Sequence, residues 1–244
     1  MVDPPTKITR LRFTVVVWWR EESSRVGIRS TFLRSLRAIW DFASDSVPWN
    51  RRQHYGDADF DWNHRVDTTS ATVGWRERLV GVLNSPYQPT EEQLFREMLG
   101  SLNLDFRNFV FIDIGSGKGR VLLMASSYPF RGIVGVELLP AFHRVAVQNI
   151  TKYKNASQLC HKLESICADA RNFVFPDEPT VLYLFNPLPA HALVDVLHNL
   201  EQSLQTNPRR VYVIYHNPEH EHLFTQCLFL QKIGGTHQYS LFSN

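Results

Sequence analysis

Short apolar runs alternate with stretches of helical spacing along the second half of the chain. The clearest run, TVLYLF, is followed at once by Asn-Pro, and most of the others end in similar turn-forming residues. Runs of this length and composition are typical of buried strands. They predict strands at 109–114, 132–136, 164–167, 180–185 and 210–215, and a clear amphipathic helix lies between the last two, with Leu193, Val196, Leu197, Leu200 and Leu204 on one face.

This alternation predicts an α/β fold with a Rossmann-like, doubly wound, mostly parallel sheet and helices on both faces. Two further runs, 228–232 and 236–242, flank Gly234 and Gly235 and predict a closing hairpin, which brings the sheet to seven strands. A helix is predicted before the first strand, because Thr90 and Gln93 have the spacing of a capping box.

The first 89 residues have a different character. They predict a strand at 11–19, a basic amphipathic helix at 30–42 and an irregular stretch from 46 to 89 that contains HYGDADFDW. All six tryptophans lie within the first 75 residues. We therefore predict an N-terminal extension and lid at 1–89 and a second domain at 90–244. The basic helix would either pack on its own domain or touch a membrane surface or an acidic partner.

Composition and charge narrow the function classes. The net charge of +2 gives no indication of nucleic-acid binding, and no apolar run is long enough to predict a membrane span. The three cysteines have no metal-ligand spacing and predict neither a metal site nor a disulfide framework. These features favour a cytoplasmic protein, and they leave its oligomeric state open.

The strongest chemical signal is FVFIDIGSGKGR, in which the first predicted strand runs into a glycine-rich turn. Ligands of parallel sheets bind at the carboxyl ends of strands, where glycines let the backbone approach closely. The pattern is not a P-loop, because Lys118 is followed by Gly119 and then by neither Ser nor Thr. It also lacks the third-glycine spacing of a dinucleotide fingerprint. A turn that only closes a strand–helix unit remains an alternative.

The remaining pattern, acid-x-G-x-G-x-G, resembles the first motif of class I S-adenosylmethionine-dependent methyltransferases. Its residues here are Asp113, Gly115, Ser116, Gly117 and Gly119. The resemblance covers about the last 155 of 244 residues. It implies S-adenosylmethionine as cofactor. A carboxylate suits the amino group and sulfonium of that cofactor, whereas it would repel a diphosphate.

Three further candidates follow predicted strands. Glu137 could accept hydrogen bonds from the ribose hydroxyls, or it could be a negative charge at the start of the next helix. The resemblance implies that Asp169 accepts from the adenine amino group and that the backbone at Ala170 reaches the ring; an Asx turn is the alternative for Asp169. The resemblance also implies that Asn186 lines the transfer site, although Leu188 and Pro189 replace the Pro-aromatic pair of enzymes that methylate nitrogens.

Upstream, Tyr87 and Thr90 resemble a loop in the non-SET histone lysine methyltransferases of the disruptor-of-telomeric-silencing type, which implies that both contact the cofactor. The sequence thus predicts a methyltransferase whose acceptor is a nitrogen nucleophile on a protein or small molecule. Solvent or a carboxylate from Asp57, Asp59 or Asp61 would take up the proton. The alternatives are a catalytically silent module that binds S-adenosylmethionine, and an NAD-dependent oxidoreductase.

Overall fold

Residues 58–69 and 88–244 are described by a computed structural model of the chain, together with Ser23, Ser24, Gly27 and Phe32. The predicted strand at 11–19, the predicted helix at 30–42 apart from Phe32, and Tyr87 lie outside the described residues. Residues 58–69 belong to the same compact unit as residues 88–244. None of the described helices is long and apolar enough to cross a membrane.

Strands and helices alternate along the chain as the apolar pattern predicts. The described helices are α1 (Ala58–His64), α2 (Glu92–Gly100), α3 (Arg120–Ala125), α4 (Pro140–Lys152), α5 (Ala190–Thr206) and α6 (Glu221–Thr225). The strands are β1 (Val110–Ile114), β2 (Gly132–Glu137), β3 (Leu163–Cys167), β4 (Thr180–Phe185), β5 (Val211–His216), β6 (Gln231–Gly235) and β7 (Tyr239–Ser243).

The seven strands form one sheet in the order β3-β2-β1-β4-β5-β7-β6. Strands β1 to β5 are parallel, and β7 runs antiparallel between β5 and β6. This confirms the predicted fold class. The strand order reverses between β1 and β4, so the carboxyl ends of these two strands border the crevice in which open α/β sheets bind ligands.

The sheet separates two apolar layers because successive side chains of a strand point to opposite faces. On one face Phe111 packs with Phe95 of α2, their ring centroids 6.0 Å apart. On the other face Ile112 belongs to a cluster that includes Leu200 of α5. Both faces of the sheet are apolar, so each is covered by helices that turn one apolar stripe toward it.

Helix α1 packs on the first of these layers. Its Phe60 is buried in the same cluster as Phe95 and Phe111, and its His64 ring lies 5.0 Å from that of Tyr153. The sequence pattern indicated no helix here, because seven residues are too few to establish a 3.6-residue period. The division of the chain at residue 89 and the role of the extension as a lid stay predictions.

The closing hairpin is confirmed, but its turn was predicted wrongly. Gly235 lies within β6, and the turn occupies residues 236–238. At Gly235 φ is 137°, and a Cβ atom there would lie 2.5 Å from the Tyr239 carbonyl oxygen. This glycine permits close approach of two strands, and the turn is closed instead by Thr236, whose amide donates to the same carbonyl at 2.7 Å.

The predicted capping box is also wrong. Glu91 precedes the first residue of α2, and no side chain caps this end. The Thr90 hydroxyl lies instead 2.9 Å from the Tyr183 hydroxyl, and both residues are buried. A buried tyrosine hydroxyl needs hydrogen-bond partners, so Thr90 bonds to Tyr183 and does not cap the helix.

Candidate functional site

The glycine turn follows β1 in the place that the sequence predicts. Gly115, Gly117 and Gly119 all have positive φ, between 55° and 83°. The turn is tied to the next strand, because the amides of Gly115 and Ser116 donate to the Val136 carbonyl at 2.8 and 3.1 Å. The ends of β1 and β2 are thereby held side by side at the carboxyl edge of the sheet.

Close contacts explain two of the glycines in and near this turn. A Cβ on Gly115 would lie 2.3 Å from Cβ of Pro187, so the segment after β4 packs directly on the turn. A Cβ on Gly135 of β2 would lie 2.6 Å from the Ser116 hydroxyl oxygen and 2.7 Å from Leu122. Sequence reasoning did not single out Gly135, although a glycine inside a strand pattern is a signal of close backbone approach.

Glu137 ends β2 with its carboxylate against the glycine turn. One oxygen accepts from the Gly117 amide at 2.8 Å and the other from the Leu139 amide at 2.7 Å, at the start of α4. Burial raises the pKa of Glu137, and the backbone hydrogen bonds partly oppose that shift. The alternative of a charge at a helix start is therefore observed, and each oxygen keeps lone-pair capacity for a ligand. Ribose binding stays a prediction.

Asp113 is a second buried carboxylate at the same edge. It is 3% exposed and pairs in register with Gly135 and Tyr183. Burial raises its pKa well above the usual range, and the nearby charge of Glu137 raises it further. No side chain or amide of the described residues is seen to donate to this carboxylate. A cationic ligand group would offset both effects.

Asp169 follows β3, and its carboxylate is engaged within its own loop. It accepts from the Arg171 amide at 3.0 Å and forms a forked ion pair with the Arg171 guanidinium, at 2.6 Å for the shortest contact. Arg171 lowers the pKa of Asp169. This is the Asx-turn alternative, with Ala170 buried beside it. The assignment of Asp169 and Ala170 to adenine binding stays a prediction.

Asn186 follows β4 in the left-handed region, with φ of 39°. Its amide oxygen accepts from the Tyr215 hydroxyl at 2.9 Å, and that hydroxyl accepts from the His220 amide at 3.2 Å. Burial raises the pKa of Tyr215 to about 12, so it remains a donor at neutral pH. Tyr215, which sequence reasoning missed, therefore sets the orientation of the Asn186 amide.

A buried hydrogen-bonded chain lies on the Asp113 side of the sheet. The Tyr183 hydroxyl is 2.9 Å from the Thr90 hydroxyl and 2.8 Å from Nδ1 of His216. Phe185 stacks on the His216 ring, their centroids 3.8 Å apart. Neither Tyr183 nor His216 was predicted. The sequence signal for His216 was its position at a strand end, beside Asn217-Pro218.

The buried His216 should make folding sensitive to acid. Burial lowers its pKa from 6.5 to about 4. Between pH 6.5 and pH 4 His216 is protonated in the unfolded chain but neutral in the folded chain, so the unfolding free energy falls as the pH falls. We expect wild type to lose about 3 kcal/mol more of its unfolding free energy than His216→Gln between pH 7 and pH 4. Urea denaturation across this range measures the difference, and parallel pH dependences would contradict it.

The side chains of Ser116 and Lys118 in the turn, and of Arg120 at the start of α3, are buried. The Ser116 hydroxyl is buried against Gly135, and no partner is seen for it in the described part of the chain. Lys118 and Arg120 have side chains only 2% exposed. Lys118 Nζ donates to the Asp67 carboxylate at 2.8 Å, and the Arg120 guanidinium lies 4.3 Å above the Phe60 ring.

Asp61, one of the three carboxylates considered as a base, has a structural role. It accepts from the amides of Thr68 and Thr69 at 2.7 and 2.9 Å and from the Thr68 hydroxyl. Arg120 lies 4.0 Å away. These contacts occupy the carboxylate. Asp59 is exposed, and Asp57 lies outside the described residues.

A cavity of about 300 Å³ lies elsewhere, against α1 and α2. Aromatic rings line much of it, from Phe60, Phe95, Tyr128 and Tyr153. The described candidates at the strand ends are not among its lining residues. It is therefore separate from the site at the carboxyl edge, and the described residues contain no group of three or more side chains that could hold a metal ion.

Comparisons with known proteins find similar solved structures but no family. No protein-family model matches the sequence, and no curated protein matches it. A ribosomal protein L11 methylase from Lactobacillus delbrueckii subsp. bulgaricus is similar in structure, with a TM-score of 0.43 and 13% identity over 62% of this chain and 75% of that one. TrmN from Thermus thermophilus has a TM-score of 0.43 and 18% identity over 62% of this chain.

A third similar structure is an RNA methyltransferase from Salinibacter ruber in complex with S-adenosylhomocysteine. Its TM-score is 0.38 at 17% identity, over 64% of this chain and 92% of that one. The chain spans 47% of the length of TrmN. The structures that the chain resembles thus include methyltransferases. The likeness to the disruptor-of-telomeric-silencing type stays a prediction.

Proposed function

We propose that this chain binds S-adenosylmethionine at the carboxyl edge of the sheet and transfers its methyl group. One observation carries the proposal: two buried carboxylates, Asp113 and Glu137, meet at a glycine turn where β1 and β2 end. A carboxylate only accepts hydrogen bonds and favours positive charge beside it. These two acceptors fit a ligand with an ammonium, a sulfonium and ribose hydroxyls.

The same residues do not suit a diphosphate. Phosphate sites of βαβ folds use a helix start and free backbone amides, often aided by a cation. Here the Gly117 amide already donates to Glu137, and both Lys118 and Arg120 are buried in contacts with residues 58–69. An incoming diphosphate would therefore meet two carboxylates. We infer that the site excludes NAD.

Each candidate is given one role in this proposal. Asp113 holds the methionine ammonium, directly or through water, and Glu137 accepts from the ribose hydroxyls while keeping its two backbone hydrogen bonds. Asp169 and Ala170 bind the adenine, provided that Asp169 shares its carboxylate between Arg171 and the ring. The other residues proposed to contact the cofactor lie in the glycine turn and in the loop before α2. They are Gly115, Ser116, Gly117, Gly119, Tyr87 and Thr90.

The chain has to position groups more than supply reactive ones. S-adenosylmethionine brings a methyl group that its sulfonium has already activated. The protein must hold a nucleophile in line with that group and exclude water. Asn186 is proposed to line the transfer site. Because its amide oxygen accepts from Tyr215, its backbone carbonyl and the remaining lone pair are the groups left to orient a nucleophile.

The acceptor is proposed to be a nitrogen nucleophile on a protein or small molecule. An amine must be neutral to attack, and solvent is the proton acceptor we favour, because Asp61 is occupied by Thr68, Thr69 and Arg120. Nucleic acid is the competing methyl acceptor. A methyl-transfer assay that sorts labelled lysate into protein, nucleic acid and small molecules decides between these acceptor classes.

One observation favours a second candidate, a module that binds the cofactor but transfers nothing. The amide of Asn186 is engaged by Tyr215, and the residues after Pro187 depart from the Pro-aromatic pair. Such a module would bind S-adenosylmethionine as tightly as an enzyme. It would leave every lysate fraction unlabelled.

We expect the full chain to bind S-adenosylhomocysteine at micromolar or tighter affinity and to show no binding of NAD. The reason is that Asp113 and Glu137 are two buried carboxylates at this turn, whereas Lys118 and Arg120 are buried against residues 58–69. Isothermal titration calorimetry with both ligands makes the comparison. Micromolar NAD binding without S-adenosylhomocysteine binding would refute the proposed cofactor.

A further inference from the structure

Residues 58–69 are fastened to the glycine turn through Lys118. Lys118 stands between Gly117 and Gly119 in the sequence of the turn. Its Nζ donates to the Asp67 carboxylate and the Thr69 carbonyl, both at 2.8 Å. The partners are 51 and 49 residues away in sequence. A lysine that is 2% exposed is costly to bury unless its donors are satisfied.

Asn149 of α4 joins the same two elements. Its amide nitrogen donates to the Asp67 carbonyl at 2.8 Å and to the Lys118 carbonyl at 2.9 Å, and its amide oxygen accepts from the Asp67 amide at 2.9 Å. Asn149 is 2% exposed. One side chain therefore binds the backbone of the segment and the backbone of the turn at the same time.

The hydrogen bonds of Lys118 to residues 58–69 lie next to a proposed ligand contact in the sequence. The amide of Gly117, immediately before Lys118, donates to the Glu137 carboxylate. Gly117 and Lys118 share one peptide group, so a displacement of Lys118 would also move Gly117 and with it this amide. The contact between the turn and Glu137 thus depends on Lys118, and through Lys118 on Asp67 and Asn149.

We infer that Asp67, Lys118 and Asn149 are positioning residues of the cofactor site. They keep the glycine turn in its binding conformation while residues 58–69 are packed against it. The inference rests on the proposed function. Its consequence is a linkage: cofactor binding and seating of the segment favour each other, since coupling between two sites is reciprocal. The N-terminal part of the chain would then control cofactor affinity without contacting the cofactor at these residues.

Replacing Lys118 by methionine tests the coupling. Methionine has a similar length and needs no partner, so it leaves no unpaired buried charge, and Asp67 is 45% exposed and can be hydrated. We expect the dissociation constant of S-adenosylhomocysteine to rise roughly 5- to 150-fold, the usual range of coupling between sites. Calorimetry on the full chain measures it. The matched control is Lys232→Met, which removes an exposed lysine paired with Glu221 and should leave affinity unchanged.

Two further measurements separate positioning from a general loss of structure. Asp67→Asn should weaken binding by itself, but it should add little in the double variant with Lys118→Met, because both substitutions remove the same ion pair. Hydrogen exchange on the wild-type chain needs no variant. S-adenosylhomocysteine should slow amide exchange within residues 58–69, and it should not do so in Lys118→Met.

The outcomes distinguish this inference from the proposed function. A wild-type chain that binds no S-adenosylhomocysteine overturns both. If Lys118→Met binds S-adenosylhomocysteine as tightly as the wild-type chain, only the positioning role is overturned. The same holds if the ligand leaves amide exchange within residues 58–69 of the wild-type chain unchanged. Additive losses in the double variant also overturn it.

Discussion

Glu137→Gln is expected to weaken S-adenosylhomocysteine binding by about 1.5–3 kcal/mol, which is the scale of losing hydrogen bonds to a charged group. Glutamine keeps the size of the side chain and one acceptor oxygen. It loses the charge, and its amide group would face the N–H of either Gly117 or Leu139, to which the carboxylate is now bonded. Calorimetry should show the dissociation constant rising by a factor of about 10 to 150.

Glu164→Gln is the control for this substitution. Glu164 lies on the neighbouring strand β3 and is exposed, so the same chemical change should not alter affinity. Because Glu137 also holds the turn, some loss of unfolding free energy is expected and is measured separately by denaturation. If Glu137→Gln binds as tightly as the wild-type chain, Glu137 has only its observed role at the start of α4.

Gly115→Ala is expected to lower the unfolding free energy by about 2–4 kcal/mol, because left-handed strain adds to overpacking. The backbone has φ of 77° here, and the new methyl would lie 2.3 Å from Cβ of Pro187. Pro187 is rigid, so either the turn or the segment after β4 must move. Affinity for S-adenosylhomocysteine should fall as well, since both segments belong to the proposed site.

The matched control is Gly100→Ala. Gly100 is the last residue of α2, has no positive φ, and would bring its Cβ within 4 Å of nothing. Alanine is favoured over glycine in a helix, so this variant should be as stable as wild type or slightly more so. Urea denaturation of the two variants makes the comparison. Equal stability of both would show that the contact with Pro187 does not restrict residue 115.

The fold follows closely from local patterns. TVLYLF predicts β4 at its observed bounds, and the spacing of leucines from Leu193 to Leu204 predicts α5 within a few residues of each end. Both signals depend on neighbours within one strand or helix. Five such alternations determine a mostly parallel sheet, because each parallel strand needs a crossover of the same hand.

Predictions that depend on the choice between two partners were less successful. Thr90 has the right type and spacing for a helix cap, yet its hydroxyl bonds to Tyr183, 93 residues away. Gly234 and Gly235 have the composition of a turn, yet Gly235 serves a close contact between strands. In each case a local preference of about 1 kcal/mol gave way to satisfying or fitting a buried group.

The sequence by itself determined the sheet, the glycine turn and the presence of acids at the ends of the first three strands, because strand ends and glycines are marked by adjacent residues. Only the tertiary structure decided what these residues contact. It buried Lys118 beside Asp67, paired Asp169 with Arg171, and turned Asn186 toward Tyr215. A polar side chain bonds to whichever partner folding brings within about 3 Å, and sequence spacing does not encode that distance for residues far apart along the chain.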